Sequence, residues 1–546
     1  MLKKNDVIHL NVTSATTEGS GVGKTEDGMA VFVPLSAVGD ALEVRILKVK
    51  KTYAFGKIER IVSPAATRIT PDCPHFAQCG GCVWRHISYE EECRVKQQKV
   101  QDAVARIGGI DAPVKPIIPS ECVLRYRNKA QLPVGTDKNG KPVMGFFAFH
   151  SHRIIDCADC ALQPACFADV MRITRDFLAQ TDNDVYDEQT GKGRLRHLYI
   201  RLGEVTNELM VCYVVNGNGL KQEDLLVRML REGLPNLKTV VINSNREKTN
   251  VILGRKNRTV YGSGVITDKL CGLIFTISPF SFWQVNRAQA ERLYAKAREY
   301  AALTGNETLL DLYCGTGTIG LSMAKDCKSL IGVELIADAV RDAEHNATVN
   351  SICNARFLCA DAPQAAAQLD REGVMPDVVI LDPPRKGCGE ALVQTIGSMS
   401  PDRVVYVSCD PATLARDLQY FEAAGYRTVE VTPVDMFPRT AHVETVVLLS
   451  RKMPDDKIEV ELDLDELDIT SAESKATYQE IKDYVMKEYG FKVSTLYISQ
   501  VKRKCGIIER ENYNPSRKEN PHVPQCPKDK EAAISLALVH FGMILR

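Results

Sequence analysis

The chain has 546 residues, 45% of them hydrophobic and 25% charged, and its acidic and basic side chains balance to a formal net charge of zero. That length exceeds one ordinary core and predicts two to four domains. No apolar run reaches the roughly 20 residues that cross a bilayer, so no membrane partner is expected, and the zero net charge excludes the global attraction to nucleic acid of a strongly basic protein.

Residues 1–65 alternate apolar and polar positions around glycine breaks at Gly19 to Gly23 and Asp27-Gly28, which predicts a small antiparallel β-barrel. Near its end Arg45, Lys48, Lys50, Lys51, Lys57 and Arg60 stand against one acid, Glu59, with Tyr53 and Phe55 among them. This stretch reads equally as a local RNA-binding surface and as a solvated basic edge that discourages aggregation. Residues 66–286 have a mixed α+β pattern, with strand-like runs at 198–201, 210–215 and 239–242 and a helical stretch near 167–180. From 287 to 451 strands and helices alternate, the strand-like runs being 309–312, 329–333, 378–381, 403–407 and 443–449. That alternation predicts an α/β, doubly wound, Rossmann-like sheet with mostly parallel strands. Residues 452–546 differ in character. An acidic stretch at 455–468 precedes a capping box, Thr477-Tyr-Gln-Glu480, that opens a helix closed by Gly490; a second helix runs from Ser494 to the basic Lys502-Arg503-Lys504 before Gly506. The pair resembles a helix-turn-helix, and a packing module with a solvated basic end is the preferred reading over nucleic-acid binding. The N-terminus lacks the apolar core and cleavage site of a secretory signal, so the cytoplasm is the expected compartment. The 18 cysteines should then be reduced, and clusters of them should mean metal or catalysis.

The segment 309–320, Leu-Leu-Asp-Leu-Tyr-Cys-Gly-Thr-Gly-Thr-Ile-Gly, is a strand running into a glycine turn and a helix. Gly315, Gly317 and Gly320 let backbone approach a ligand, and the helix N-terminus offers free N–H groups. The spacing alone does not separate a nicotinamide from S-adenosylmethionine. Glu334, ending the next strand, is placed to bind ribose hydroxyls, and Asp361 to meet an adenine edge. Asp382-Pro-Pro-Arg-Lys-Gly387 ends a further core strand; an aromatic after the prolines would suggest methylation of a base amine, and Arg385 stands there instead.

Val405-Tyr-Val-Ser-Cys409-Asp-Pro-Ala-Thr413 places a cysteine between a strand and a helix starting near Thr413, where the helix N-terminus is expected to lower its pKa. Glu444 precedes an apolar strand in which an unpaired carboxylate is costly; it is the candidate base, pairing with an arginine being the alternative, and His442 its rival. One cysteine and one base are what methylation of a uracil carbon 5 requires. A thiolate adding to carbon 6 makes carbon 5 nucleophilic, and a base must then remove the carbon-5 hydrogen before the thiol leaves. Finally, Cys73, Cys79 and Cys82 stand at metal-ligand spacing, with Cys160 the natural fourth and Cys157 and Cys93 its competitors; zinc and an iron-sulfur cluster both suit four thiolates.

Together with Ser278-Pro-Phe-Ser-Phe-Trp-Gln-Val-Asn286, Ser408-Cys-Asp-Pro and His442-Val-Glu444, these motifs resemble the RNA (uracil-5-)-methyltransferase family over about residues 7–449, especially its bacterial 23S rRNA branch. The resemblance implies a TRAM barrel (1–65), a central domain with a [4Fe-4S] cluster held by Cys73, Cys79, Cys82 and Cys160 (66–286) and a methyltransferase domain (287–451), with residues 452–546 an extension of unknown role. It implies S-adenosylmethionine bound by Gln284, Tyr313, Glu334 and Asp361 or Asp382, with Cys409 as nucleophile and Glu444 as base. Its product would be 5-methyluridine in structured RNA, ribosomal rather than transfer RNA because the family's transfer-RNA enzymes generally lack barrel and cluster, made by a monomer. An iron-sulfur oxidoreductase using a nicotinamide is the alternative from another class.

Overall fold

The computed structural model describes residues 2–149, 151–452, 476–505, 525–541 and 543–544. The chain divides into two compact units, Met1–Met453 and Pro454–Arg546. The acidic stretch 455–468 and Gly506 lie outside the described residues.

Six strands between Val7 and Ser63 form the N-terminal sheet. Val7–Asn11 pairs with Ala41–Val49, and its continuation Ser14–Ala15 pairs with Ser20–Lys24. Val12 N and Thr13 N, between the two, donate to Asp40 O and Val22 O. One bent strand therefore serves both edges and closes the sheet into a barrel, which leaves no free edge. Gly23 sits under that bend: a Cβ there would stand 2.4 Å from the Asn11 carbonyl oxygen, so only glycine allows the approach. The barrel is not purely antiparallel, as the sequence suggested. Ala30–Pro34 runs parallel to Tyr53–Ser63, because the intervening strand Ala41–Val49 acts as the crossover that parallel neighbours require.

A second sheet of seven strands runs in the order Lys256–Tyr261, Leu237–Ser244, Leu209–Val215, Leu195–Leu202, Lys129–Thr136, Pro142–Phe147, Ile154–Asp156. Helices Ala165–Gln180 and Glu223–Gly233 cover one face through Phe167, Phe177, Leu226 and Leu230. From the other face Tyr199, Met210, Cys212 and Val241 enter the same core as Leu309, Val378 and Val405 of the third sheet. Leu209–Val215 is consequently buried at every position, since a strand covered on both sides loses its two-residue alternation.

The third sheet has the order Ala355–Cys359, Ser329–Glu334, Thr308–Leu312, Val378–Leu381, Arg403–Ser408, Glu444–Arg451, Tyr426–Val434. The first five strands are parallel and the last two antiparallel. Apolar cores lie on both of its faces, as a doubly wound fold requires.

The second unit contains helices Tyr478–Tyr489, Thr495–Lys504 and Lys528–His540, the last not anticipated from the sequence. The capping box forms as expected and Gly490 ends the first helix at φ 69°. Ile481, Val485, Ile498, Val501, Ile534 and Leu538 make its core. The basic run is used internally: Lys502 is buried with its ammonium 4.3 Å from the Tyr478 ring centre, and Lys504 pairs with Glu531 at 2.7 Å.

Candidate active site

Parallel strands direct their carboxyl ends to one edge of a sheet, where ligands of such folds bind. Tyr313 follows Thr308–Leu312, Glu334 ends its strand, Asp361 lies just past Ala355–Cys359, Asp382 follows Val378–Leu381 and Cys409 follows Arg403–Ser408. Glu444 opens the antiparallel neighbour, and the pairing of Ser408 with Thr445 sets Cys409 opposite it. The edge thus gathers the acid, thiol and glycine-turn residues read from the sequence.

Their electrostatics are mutual. Burial, then repulsion from Asp382, raises Glu444 to about 8, with Arg385 opposing. Burial raises Asp382 to about 7. Cys409 is pushed to about 11 by burial, then by Glu444 and Asp382, again against Arg385. The expected lowering of this thiol by a helix N-terminus does not occur. The helix Pro411–Ala423 starts before Thr413, and its N-cap Asp410 accepts from Ala412 N at 2.9 Å and Thr413 N at 3.1 Å, so a carboxylate rather than the thiol takes the free donors. Among the described residues no arginine pairs directly with Glu444, and Arg385 acts on it as a nearby cation. His442 packs edge-on against Phe437 with ring centres 6.0 Å apart. Burial and then the cations Arg385 and Lys99 lower it to about 4, which makes it the weaker base of the two.

The glycine turn is built on a residue the sequence reading passed over. Asp311, an acid inside the apolar strand Thr308–Leu312, accepts from Gly320 N at 2.9 Å, and burial raises it to about 7. A Cβ on Gly320 would stand 2.6 Å from its carboxylate. Glu334 accepts from Gly315 N at 3.1 Å and Ile336 N at 2.9 Å; each carboxylate oxygen keeps a lone pair for a ribose hydroxyl. Beside it Leu335 and Ile336 are 63% and 60% exposed, an apolar lip suited to an adenine face. Tyr313 holds φ 66°, a strained conformation for a residue with a side chain. Asp361 is the N-cap of Ala362–Arg371 yet makes no side-chain cap bond, which leaves its carboxylate for a ligand. Gln284 lies on a loop fixed by Asn128 Nδ2 to its carbonyl oxygen at 2.9 Å and by Ser281 Oγ to Asp342 at 2.7 Å. Asp417 is the second residue missed: its buried carboxylate accepts from Cys388 N and Tyr406 OH, both at 2.7 Å, and so anchors the loop that presents Arg385.

Two cavities are lined by residues singled out in the sequence or next to them. One of about 460 Å³ lies between the barrel residues Thr13 to Thr17, the helix side chains Arg94, Lys99 and Arg106, and Asp410-Pro411-Ala412 beside the thiol. The other, about 100 Å³, is walled by Cys73, Cys79, Cys82, Cys157 and Cys160 together with Arg85 and Arg127. Cys93 is buried elsewhere, near Tyr89 and Asp435. Arg85 Nε donates to Cys82 Sγ at 3.4 Å, and among the described residues Arg127 Nε is buried without a hydrogen-bond partner. Among the described residues no three histidine, cysteine or acidic side chains close around a point as a single metal ion requires. The basic strip of the barrel is also smaller than its sequence suggests, because Arg45 forks onto Glu59 and Arg60 onto Glu43.

Models of two families match the chain, tRNA (Uracil-5-)-methyltransferase over residues 236–452 and the TRAM domain over residues 2–58. An uncharacterized RNA methyltransferase of Clostridium tetani is 42% identical over 449 residues, 82% of this chain and 97% of that protein. One from Caldanaerobacter subterraneus is 44% identical over 450 residues, 82% of this chain and 99% of that protein. Among solved structures, the Pyrococcus abyssi tRNA (uracil-54, C5)-methyltransferase in complex with S-adenosyl-L-homocysteine is similar with a TM-score of 0.65 and 27% identity, covering 81% of this chain and 99% of that one. With its motifs on one sheet edge and relatives matched along nearly their whole length, the chain belongs to the RNA (uracil-5-)-methyltransferase family and is an S-adenosylmethionine-dependent RNA methyltransferase with a TRAM domain.

Proposed function

We propose that the protein methylates carbon 5 of a uridine in ribosomal RNA through a covalent adduct between Cys409 and carbon 6. The observation that carries this reading is the register that sets Cys409 opposite Glu444 at the sheet edge. Cys409 adds to carbon 6 as a thiolate, and carbon 5 then takes the methyl group, releasing S-adenosylhomocysteine. Glu444 removes the carbon-5 hydrogen, and the electron pair left behind expels the thiolate. A carboxyl raised to about 8 is a stronger base than an ordinary one and suits a carbon acid. Gln284, Tyr313, Glu334 and Asp361 bind the methyl donor, with Asp382 between donor and nucleophile.

The 460 Å³ cleft is where we place the RNA flanking the target. Arg94, Lys99 and Arg106 line it beside the barrel; Arg94 and Arg106 pair with Glu91 and Asp102 through exposed arginine side chains, pairs that phosphate contacts would replace. For the cysteine cavity we take a [4Fe-4S] cluster on the family resemblance; its thiols line one space, and four thiolates suit such a cluster. The unpartnered Arg127 Nε and Arg85 suit an anionic occupant. Cys73, Cys79, Cys82 and Cys160 would hold the cluster, which supplies local rigidity and negative charge when bound.

Transfer RNA is the second reading, favoured by the Pyrococcus abyssi relative. That tRNA enzyme covers 81% of this chain, so barrel and central domain do not by themselves select ribosomal RNA. Incubation of the full chain and S-adenosylmethionine with unmodified ribosomal and transfer RNA, followed by nucleoside mass spectrometry, separates the two. The proposal predicts 5-methyluridine in ribosomal RNA; methyl groups in transfer RNA alone would reverse the substrate assignment, and methylated purines would refute the chemistry.

A further inference from the structure

The segment carrying Cys79 and Cys82 is hydrogen-bonded to the loop that presents Glu444. Val83 N and Trp84 N, directly after Cys82, both donate to the Arg439 carbonyl oxygen, at 2.8 and 3.3 Å. Tyr126 OH donates to the Pro438 carbonyl oxygen at 2.8 Å. Its neighbour Arg127, a wall of the thiol cavity, sets its guanidinium 5.9 Å from the Phe437 ring centre. From the opposite side Lys96, fully enclosed, donates to Asp435 Oδ1 and Glu92 Oε1 at 2.7 Å each and to the Phe437 carbonyl oxygen at 3.1 Å. Glu92 in turn accepts from Arg439 N at 2.6 Å, and Asn286 Nδ2 donates to the Met436 carbonyl oxygen at 3.1 Å. Every residue from 435 to 439 is thereby gripped by another part of the unit.

The grip is needed because the bend is strained. Arg439 holds φ 70°, a conformation that is costly for a residue with a side chain and persists only where the surroundings over-determine it. The two backbone donors after Cys82 are part of that over-determination. The segment is anchored elsewhere too, by Gly80 N to the Phe147 carbonyl oxygen at 3.0 Å, by Phe149 N to the Gln78 carbonyl oxygen at 3.4 Å, by Ile69 N to the His86 carbonyl oxygen at 3.0 Å and by Arg85 to Cys82 and Asp72, so a shift at the thiols is passed on to the Arg439 bend by a braced element.

We propose that the cysteine segment is a positioning element for the base. Through Val83 and Trp84 it fixes the Arg439 bend from which Glu444 is presented, so disturbing the thiol site slows proton removal while thiol addition at Cys409 persists. The inference rests on the reading of Glu444 as the base and of the thiols as cluster ligands. Coupling between two sites is reciprocal, so straining the bend must also loosen whatever the thiols hold.

The test uses the full chain purified without oxygen, and the variants Val83→Pro, Arg439→Val and Arg439→Gly. Val83→Pro removes one donor and also narrows the backbone of Cys82 before it, so its iron content is read beside its turnover, and the Arg439 pair, which alters no residue next to a thiol, is the control. Valine cannot sit comfortably at positive φ, whereas glycine can. Four quantities are read: deuterium uptake of residues 435–444, iron and acid-labile sulfide per chain, the rate of covalent capture of RNA carrying 5-fluorouridine, and turnover on ordinary RNA. Capture reports addition and methyl transfer only, since fluorine cannot be removed as a proton. Val83→Pro and Arg439→Val are expected to slow turnover by about tenfold or more, within the range of a misplaced general base, with capture changed less than about threefold and uptake at 435–444 raised. Arg439→Val should also speed loss of iron to a chelator, and Arg439→Gly should recover much of the turnover that Arg439→Val loses. Should Val83→Pro fail to fold, the Arg439 pair carries the comparison. Equal losses of capture and turnover, or unchanged uptake in both strained variants, would overturn the proposal. If the wild-type chain holds no iron yet capture and turnover still separate, the positioning role stands and the cluster reading falls; if Glu444→Gln leaves turnover intact, the base reading falls and this inference with it.

Discussion

Cys409 and Cys82 of the cysteine cavity are both raised by burial, yet their next neighbours differ in sign. Around Cys409 the next contributions come from carboxyl groups, Glu444 and Asp382, with Arg385 as the opposing cation. Around Cys82 they come first from Arg85, which favours the thiolate, and only then from other thiols. A nucleophile in an open cleft is protected from oxidation while it stays protonated, so it should ionise only when substrate enters. Ligand thiolates must remain ionised and therefore need fixed cations. On the proposed reading one residue type would serve two purposes, separated by the charges placed alongside.

The strongest way to break this contrast is to exchange thiols for smaller or harder groups and compare the losses. Cys409→Ala should abolish turnover by about 10⁴-fold or more, the scale on which removal of a covalent nucleophile acts, with S-adenosylmethionine binding by calorimetry unchanged. Glu444→Gln should slow turnover by about 10²- to 10⁴-fold while a covalent RNA adduct accumulates on denaturing gels. Rapid clearance of that adduct would deny Glu444 its role. Cys82→Ser should abolish bound iron but cost turnover only about tenfold, because the thiols touch no reacting atom; the cost reflects the lost positioning of the base.

A smaller effect distinguishes the ionisation of the two sites. Because Glu444 must lose a proton held up to about 8 and Cys409 one held up to about 11, kcat/KM should climb from pH 6 to 9 without a maximum. Glu444→Gln should remove the inflection near 8 and Cys82→Ser should keep it. The smallest effect is on stability. The Glu444 carboxyl is raised well above the roughly 4.3 of an unfolded chain, so the folded state binds more protons between those values and loses stability as pH rises through that window. Glu444→Gln should therefore raise Tm at pH 8, by on the order of 1–3 kcal/mol of stability, and leave it unchanged near pH 4. Equal shifts at both pH values would mean that Glu444 is not held protonated by its surroundings.

The sheet edge was legible in the sequence because its parts sit at strand ends, and parallel strands bring strand ends together whatever the distance along the chain. Cys409, Glu444, Glu334 and Asp382 could be named on that basis. What escaped were the residues that hold them: Asp311 under the glycine turn, Asp417 behind the Arg385 loop, and the buried set of Glu92, Lys96 and Asp435. Asp311 is a lone charge in an apolar strand whose partner is a backbone N–H, Asp417 is held by Cys388 N and Tyr406 OH from other elements, and the Glu92–Lys96 pair gains its third member, Asp435, from a distant part of the chain. Asp311 did carry a signal, since an acid inside Leu-Leu-Asp-Leu is costly without a partner. The Cys409 environment was misjudged for a related reason, as the helix dipole is local and readable while Asp410 had already taken its donors. In the barrel, the acid that neutralises Arg60 lies on the neighbouring strand, at Glu43, outside the window in which the basic strip was counted.

The most direct measurement is covalent trapping. RNA bearing 5-fluorouridine, mixed with the full chain and S-adenosylmethionine, should give one protein–RNA adduct whose peptide map places the nucleotide on Cys409 and whose mass includes one methyl group. Absence of any adduct alongside active turnover on ordinary uridine, or an adduct that survives Cys409→Ser, would contradict the mechanism.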